Sequence, residues 1–256
     1  MEAISDYDLF EPLAYLQEYY ADIGAENRAL LRFLTGALRD VPAGATMLDF
    51  GGGPTLYAAI AAAPHVSAMH LTDYSEANLR EVRRWLAADP QAFDWRDITR
   101  AILRLEGLPA ELADVAAREA LTRQRVTRVS RCDAKAPCPL EEGAAAYDLL
   151  VTNFCLEAAA GDLDEWRRCM CAVLAYLRPG GRLVLSAVRG AASYPVGHRS
   201  FLAVRLFERD LAALLGDLGF LRATMTISSE PADRPGRQYE GIMLAAAIKA
   251  PGEEER

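Results

Sequence analysis

The stretch Met47–Tyr57, MLDFGGGPTLY, decides the fold, because an apolar run of strand type leads directly into three glycines. A glycine turn lets a ligand or another chain segment approach the backbone more closely than a β-carbon would permit. Strands and helices are predicted to alternate after it, which is typical of a parallel sheet with helices on both faces. Ligands bind such sheets beyond the carboxyl ends of the strands. The glycines therefore mark the expected ligand site.

The pattern of apolar residues predicts the elements on either side of this turn. Strands are predicted over 46–50, 66–72, 126–131, 147–152, 182–187, 221–227 and 241–249. Helices are predicted within 5–40, from near Thr55, and over 76–88, 164–177 and 207–218. The last two strands have no helix between them, so we expect an antiparallel hairpin at one edge of the sheet. The chain is predicted to form one domain over 1–256, with an N-terminal helical cap over 1–45. The core then covers 46–256, with an irregular or helical insertion near 89–125.

Composition and charge exclude several classes of function. The 256 residues are 52% hydrophobic and 25% charged, as in an ordinary globular protein. A net charge of −8 argues against nucleic acid or an anionic membrane as the partner. The apolar runs are too short to span a bilayer, and the N-terminus lacks a signal-peptide core. The five cysteines lack paired metal spacing, so we expect no metal site and reduced thiols in a cytoplasmic protein.

Carboxylates follow two further predicted strands. Asp73 lies about 20 residues after the glycines, where a carboxylate can accept ribose hydroxyls, and Asn78 can assist it. These features fit either an NAD enzyme or an S-adenosylmethionine (SAM) enzyme. The dinucleotide fingerprint needs a third glycine where this chain has Leu56, and Asp133 can accept from an adenine amine. SAM is therefore the favoured cofactor, while a purely structural role for the glycine turn stays open.

Seven blocks of sequence, spread along nearly the whole chain, support the interpretation as a SAM enzyme. In order they are YLQEYY (15–20), LDFGGGPTLY (48–57), TDYSEANL (72–79), AADPQAFDW (87–95), LEG (105–107), CDA (132–134) and NFCLEAA (153–159). Together they resemble the family of nicotinamide, phenylethanolamine and indolethylamine (thioether) N-methyltransferases. The resemblance implies an α/β class I methyltransferase fold of Rossmann-like type. Its seven-stranded, mostly parallel sheet would have helices on both faces and an N-terminal helical cap. SAM would be the cofactor and S-adenosylhomocysteine (SAH) its product.

The resemblance also assigns roles to individual residues. At the cofactor it places Tyr15, Tyr20, Gly51, Gly52, Thr55, Tyr57, Asp73, Tyr74, Asn78, Asp133, Ala134 and Asn153. At the methyl acceptor it places Tyr15, Phe154, Ala187 and Tyr194. Without the matching blocks, the tyrosines would be interpreted as the packed aromatic face of a helix. With them, we expect an aromatic wall that stacks on a flat acceptor and attracts cationic charge.

The acceptor itself is less clearly indicated. Relatives that act on nicotinamide or phenylethanolamine carry an acid at or just after the fifth strand, whereas 185–190 reads LSAVRG. The continuation, 193–197 with Phe201, looks more like the indolethylamine and thioether branch. The candidate catalytic residues are Tyr15 in the aromatic wall, with His198 and Glu240 as possible general bases. An exposed structural role is the alternative for His198.

We therefore expect a SAM-dependent enzyme that methylates nitrogen on a small molecule, in specialised metabolism. The acceptor would be an aromatic or arylalkyl amine, a pyridine or a related heterocycle. One alternative is an S- or O-methyltransferase that acts on a thioether, thiol or hydroxyl. Another is a SAM-binding regulator without turnover. The sequence leaves the oligomeric state open, and a monomer is the simpler expectation.

Overall fold

The computed structural model describes residues 3–140, 146–233 and 238–251. Its strands are β1 (Ala3–Ile4), β2 (Ala45–Phe50), β3 (Val66–Asp73), β4 (Val126–Arg131), β5 (Tyr147–Asn153), β6 (Leu177–Arg189), β7 (Ser193–Val196), β8 (Arg199–Leu202), β9 (Thr226–Pro231) and β10 (Gly241–Ile248). Its helices are α1 (Pro12–Tyr20), α2 (Ala25–Leu38), α3 (Tyr57–Ala62), α4 (Glu76–Leu86), α5 (Arg96–Leu105), α6 (Leu112–Arg125), α7 (Leu156–Ala159), α8 (Leu163–Leu174) and α9 (Glu208–Asp217).

Seven of the strands form one mostly parallel sheet in the order β4-β3-β2-β5-β6-β10-β9. Strands β2 to β6 run parallel, while β10 is antiparallel to both β6 and β9. The predicted hairpin at the edge of the sheet is thereby confirmed. From β2 the chain first moves outward to β3 and β4 and then returns to β5 on the other side. This reversal of strand order beside β2 is the place where open α/β sheets bind ligands.

The central strand β2 packs against helices on both faces of the sheet. Met47 belongs to an apolar cluster that includes residues of α2 and α3. Leu48 and Phe50 belong to a second cluster that includes residues of α8 and α9. All three side chains are fully buried. Burial on both faces explains why the strand reads as a nearly continuous apolar run.

The region predicted as an irregular or helical insertion contains the helices α5 and α6. Arg118 of α6 donates to the Glu106 carboxylate and to the Ile60 carbonyl, which ties the insertion to α3. Among the described residues, no helix combines the length and apolar character needed to cross a bilayer.

Two features of the fold differ from the prediction. The strand predicted over 221–227 is wrong in its first half, where a short 3₁₀ turn over Arg222–Thr224 precedes β9. A second, three-stranded sheet with the order β1-β8-β7 was not predicted. Its strands have only two to four residues, which is too short for a clear alternating pattern. This small sheet lies next to the cavity described below.

Candidate active site

A cavity of about 340 Å³ opens at the carboxyl ends of the central strands. Its size is typical of a pocket for a small molecule. The predicted site residues that line it are Tyr15, Tyr20, Gly51, Gly52, Thr55, Tyr57, Asp73, Tyr74, Asn78, Asp133, Ala134, Asn153, Phe154 and Tyr194. The structure therefore brings together residues that are separated by almost 180 positions in the sequence. It places Ala187, His198 and Glu240 outside the described wall.

The glycine turn after β2 is a site of close approach. Gly51 has a φ of +67°, and a β-carbon there would lie 2.0 Å from the Cys155 sulfur. A β-carbon on Gly52 would lie 2.9 Å from a carboxylate oxygen of Asp49. The backbone N–H of Gly53 donates to Asp73 Oδ2 over 2.9 Å. Side-chain atoms of Cys155 and Asp49 therefore crowd the turn, and a hydrogen bond to Asp73 anchors it to the end of β3.

Asp73 is buried and held by three donors. Its Oδ2 accepts from Gly53, and its Oδ1 accepts from the Ser75 N–H at 2.8 Å and from Asn78 Nδ2 at 2.9 Å. A carboxylate has about four acceptor positions, so roughly one remains for a ligand. The Asn78 Oδ1 atom is buried and has no partner within the described part of the chain. These two acceptors fit a pair of neighbouring hydroxyls such as the ribose diol.

Asp49 is a second buried carboxylate, which the sequence analysis did not single out. It is 3% exposed, and its Oδ1 has no partner among the described residues. Burial, reinforced by the charge of Asp73, raises the pKa of Asp49 to about 7. The signal was an acid inside the apolar run MLDF, where a charge needs a partner. Asp49 lies close to the Gly52 backbone, next to the cavity wall rather than in it.

Aromatic rings form one side of the cavity. Tyr20 stacks on Tyr57 with ring centroids 5.3 Å apart, and Tyr15 meets Tyr20 edge-on at 5.8 Å. Phe10 lies 5.2 Å from Tyr15, at the start of the segment that leads into α1. Burial raises the pKa values of Tyr15, Tyr20 and Tyr57 well above their usual value. The rings therefore stay neutral and can attract a cation through their faces.

Glu157 is an acid in the cavity wall close to residues 185–190, which carry no acid themselves. Phe154 has a φ of +52° and turns the chain sharply after β5, so that Glu157 follows in α7. Glu157 lines the cavity, and its Oε1 accepts from the N–H of Val188 in β6 at 2.8 Å. Burial raises the pKa of Glu157 to about 7, although the Val188 N–H partly opposes the shift. Glu157 belongs to the NFCLEAA block, but only the fold shows that its side chain contacts Val188 of β6.

Three predicted site residues lie elsewhere. Ala187 is buried on the opposite face of β6 among the second apolar cluster, and its neighbour Val188 lines the cavity instead. This is the one-residue alternation of a strand. His198 is exposed in the turn between β7 and β8. Glu240 pairs with Arg189 at the surface, and Arg189 also pairs with Glu208. Arg189 is therefore engaged by acids rather than free to bind an anionic acceptor.

The cavity is strongly acidic. The charged residues described in its wall are Asp6, Asp8, Glu26, Asp73, Asp133, Glu157, Asp233 and Lys135. Seven carboxyl groups thus accompany a single lysine in this set. A low-dielectric pocket lined by one sign of charge favours ligands of the opposite sign. The wall therefore suits cationic ligands.

Comparison with known proteins identifies the family. The model of the NNMT/PNMT/TEMT family matches residues 1–250. The chain belongs to this family. It is 33% identical over 226 residues to phenylethanolamine N-methyltransferase from Bos taurus, which covers 82% of this chain and 77% of that protein. It is 29% identical over 250 residues to nicotinamide N-methyltransferase from Homo sapiens, covering 94% and 93%. Indolethylamine N-methyltransferase from Oryctolagus cuniculus is 30% identical, covering 95% and 94%.

Solved structures confirm the fold. Magnesium protoporphyrin IX methyltransferase from Synechocystis PCC 6803 with bound SAM has a TM-score of 0.57 and 16% identity, covering 96% of this chain and 95% of that one. The DhpI–SAH complex has a TM-score of 0.55 and 14% identity, covering 94% of each chain. The predicted family, the Rossmann-like methyltransferase fold and the enzyme class are thus confirmed. This member of the NNMT/PNMT/TEMT family is a SAM-dependent methyltransferase.

Proposed function

We propose that this chain transfers the methyl group of SAM to the nitrogen of a small arylalkylamine that is protonated in solution. The observation that carries this proposal is Glu157, a buried carboxyl in the wall of an acidic, aromatic cavity. A pyridine acceptor has no ammonium proton to give up, so it needs no buried acid to bind a positive charge or to accept a proton. A primary or secondary amine requires both an anion to bind it and a group to accept its proton.

The residues proposed to bind the cofactor lie at or just after the carboxyl ends of β2, β3 and β4. Asp73 and Asn78 would hold the ribose hydroxyls, and the turn at Gly51 and Gly52 would lie against the methionine part. Bound there, SAM supplies an electrophilic methyl group on a cationic sulfur. The same loop that follows β4 carries the candidate adenine contacts, Asp133 and Ala134.

The remaining residues act on the acceptor. The rings of Tyr15, Phe154 and Tyr194 would flank the aryl group and keep water away from the reacting nitrogen. The Glu157 carboxylate would receive a hydrogen bond from the ammonium and take up its proton as the lone pair becomes free. Positioning of this kind supplies roughly 7–11 kcal/mol in favourable cases. General-base catalysis contributes about 10²–10⁴-fold in rate.

The test is a comparison of initial rates with labelled SAM and four acceptors, namely an arylalkylamine, a pyridine carboxamide, a thioether and a phenol. We expect the arylalkylamine to be methylated fastest. Glu157→Gln should lower kcat/KM for the amine by about 10²-fold or more and leave the rate with a thioether nearly unchanged. SAH affinity should be unaffected, and His198→Gln, an exposed matched control, should behave like the wild type.

The other outcomes distinguish the alternatives. Transfer to the thioether alone would make the chain an S-methyltransferase, in keeping with the branch that its residues 193–201 resemble. Tight SAH binding with no transfer to any class of acceptor would favour a regulator without turnover. Equal loss of amine and thioether activity in Glu157→Gln would assign this residue a structural role only.

A further inference from the structure

A second buried acid, Glu26, lies in the cavity wall away from Glu157. Glu26 is 9% exposed and stands at the first turn of α2. The Tyr239 hydroxyl donates to its Oε2 over 3.1 Å. Its Oε1 is buried and has no hydrogen-bond partner among the described residues. An unpaired acceptor in the wall of a cavity can accept a hydrogen bond from a ligand that enters it.

The two acids in the cavity wall are anchored at different strands of the sheet. Glu157 follows β5 and is bonded to Val188 of β6. Val188 lies opposite Ile242 of the neighbouring strand β10, and Ile242 also lines the cavity. Glu26 accepts a hydrogen bond from Tyr239, which lies two residues before the start of β10 at Gly241. Glu157 is thus anchored at β6 and Glu26 at the segment that leads into β10, the neighbouring strand of the sheet.

Neighbouring groups set the charge at Glu26. Its backbone N–H donates to the Asp233 carboxylate over 3.1 Å. Burial and the nearby Asp233 carboxyl raise the pKa of Glu26 to about 7. The site therefore takes a proton readily when it is empty, and a donor from a ligand would take the place of that proton. An acidic acceptor end would be repelled.

We propose that the acceptor carries a second hydrogen-bond donor, an amino or hydroxyl group at the end of the molecule away from the methylated nitrogen, and that Glu26 binds it. This inference rests on the proposed function, because it assumes that Glu157 binds the reacting amine. It narrows the substrate class to arylalkylamines with a polar distal substituent. Tyr239 holds the Glu26 carboxylate in place and is a positioning residue.

The experiment compares 2-phenylethylamine with its 4-hydroxy and 4-aminomethyl analogues, which differ only at the distal end. We expect kcat/KM to be about tenfold or more higher for at least one substituted amine, as for a hydrogen bond to a charged group. A preference for the aminomethyl analogue would identify a cationic distal group, and a preference for the hydroxyl analogue a neutral donor. Glu26→Gln should remove most of the preference for the aminomethyl analogue, measured within the variant as the ratio of its kcat/KM to that of 2-phenylethylamine.

Two further measurements keep the inference separate from the proposed function. Calorimetric titration of the three amines into SAH-loaded protein gives the same comparison without turnover. Tyr239→Phe should weaken the preference in part, whereas Glu240→Gln, an acid outside the described wall, should leave it unchanged. Equal binding of the three amines, unaltered by Glu26→Gln, would overturn the inference even if methyl transfer occurs. A clear distal preference in binding without methyl transfer would uphold it while the proposed function fails.

Discussion

Replacing Asp73 by asparagine tests the cofactor site with little change in volume. In the wild type, the two carboxylate oxygens accept from Gly53, Ser75 and Asn78. An amide has only one accepting oxygen. In its better orientation that oxygen serves Ser75 and Asn78, and the amide NH₂ group then faces the N–H of Gly53.

The magnitude follows from these contacts. A hydrogen bond from a ribose hydroxyl to a charged acceptor contributes about 1.5–3 kcal/mol. Since about 1.4 kcal/mol corresponds to a factor of ten, Asp73→Asn should raise the Kd for SAH by roughly 10–150-fold. The half-buried N–H of Gly53, left without an acceptor, should lower the free energy of unfolding by about 1 kcal/mol, the low end for an unsatisfied donor. Loss of a buried charge offsets part of this loss of stability.

Isothermal titration with SAH measures the affinity, and denaturant unfolding measures the stability. Asp94→Asn is the matched control, because Asp94 is exposed and pairs with Arg96 rather than lining the cavity. Its SAH affinity should equal that of the wild type. An Asp73→Asn protein that is folded and binds SAH with unchanged affinity would refute the placement of the ribose at β3.

Two further predictions concern the same cavity. Gly51→Ala should destabilise the fold by more than the roughly 1–2 kcal/mol of a left-handed residue, because its β-carbon would also meet Cys155. Gly180→Ala, with a φ of +72° and open space around it, is the control in denaturant unfolding, and equal losses would contradict the crowding argument. The pKa of Glu157, about 7 in the fold, exceeds the ordinary value of 4.5. Its contribution to stability is therefore complete below pH 4.5 and lost as the pH rises through 7. Glu157→Gln should remove this part of the pH dependence of stability, which thermal melts of the apoprotein at pH 5 and pH 8 measure. At pH 8 the variant should be more stable than the wild type. An unchanged pH profile would show that the carboxyl is not buried.

Much of the sheet could be predicted because its strands are short apolar runs between glycines, prolines and polar turns. The strand predicted over 126–131 is observed with the same limits, and β2, β3 and β5 agree to within one residue. Strand order was accessible only in part. The apolar pattern does not show that β1 pairs with β8, which requires contact between residues almost 200 positions apart.

The candidate site divides in the same way. The residues proposed for the cofactor follow strand ends, which the sequence pattern locates, and Asp73 and Asp133 both line the cavity. The acceptor side depends on tertiary packing. Glu157 reaches Val188 only because the chain turns sharply at Phe154, and no spacing in the sequence shows this. The placement of Ala187 in the cavity wall is wrong by one residue, since Val188 lines the cavity and the facing of a strand depends on its register.

The most direct test of the central claim is a single-turnover reaction with SAM carrying a ¹³C-methyl group and an arylalkylamine acceptor, analysed by NMR. We expect the label to appear on the amine nitrogen in stoichiometric amount, and Glu157→Gln to slow its appearance while SAH binding is preserved. Label found on sulfur or oxygen of other acceptors, with none on the amine, would contradict the account. So would a protein that binds SAH tightly and leaves the amine unlabelled.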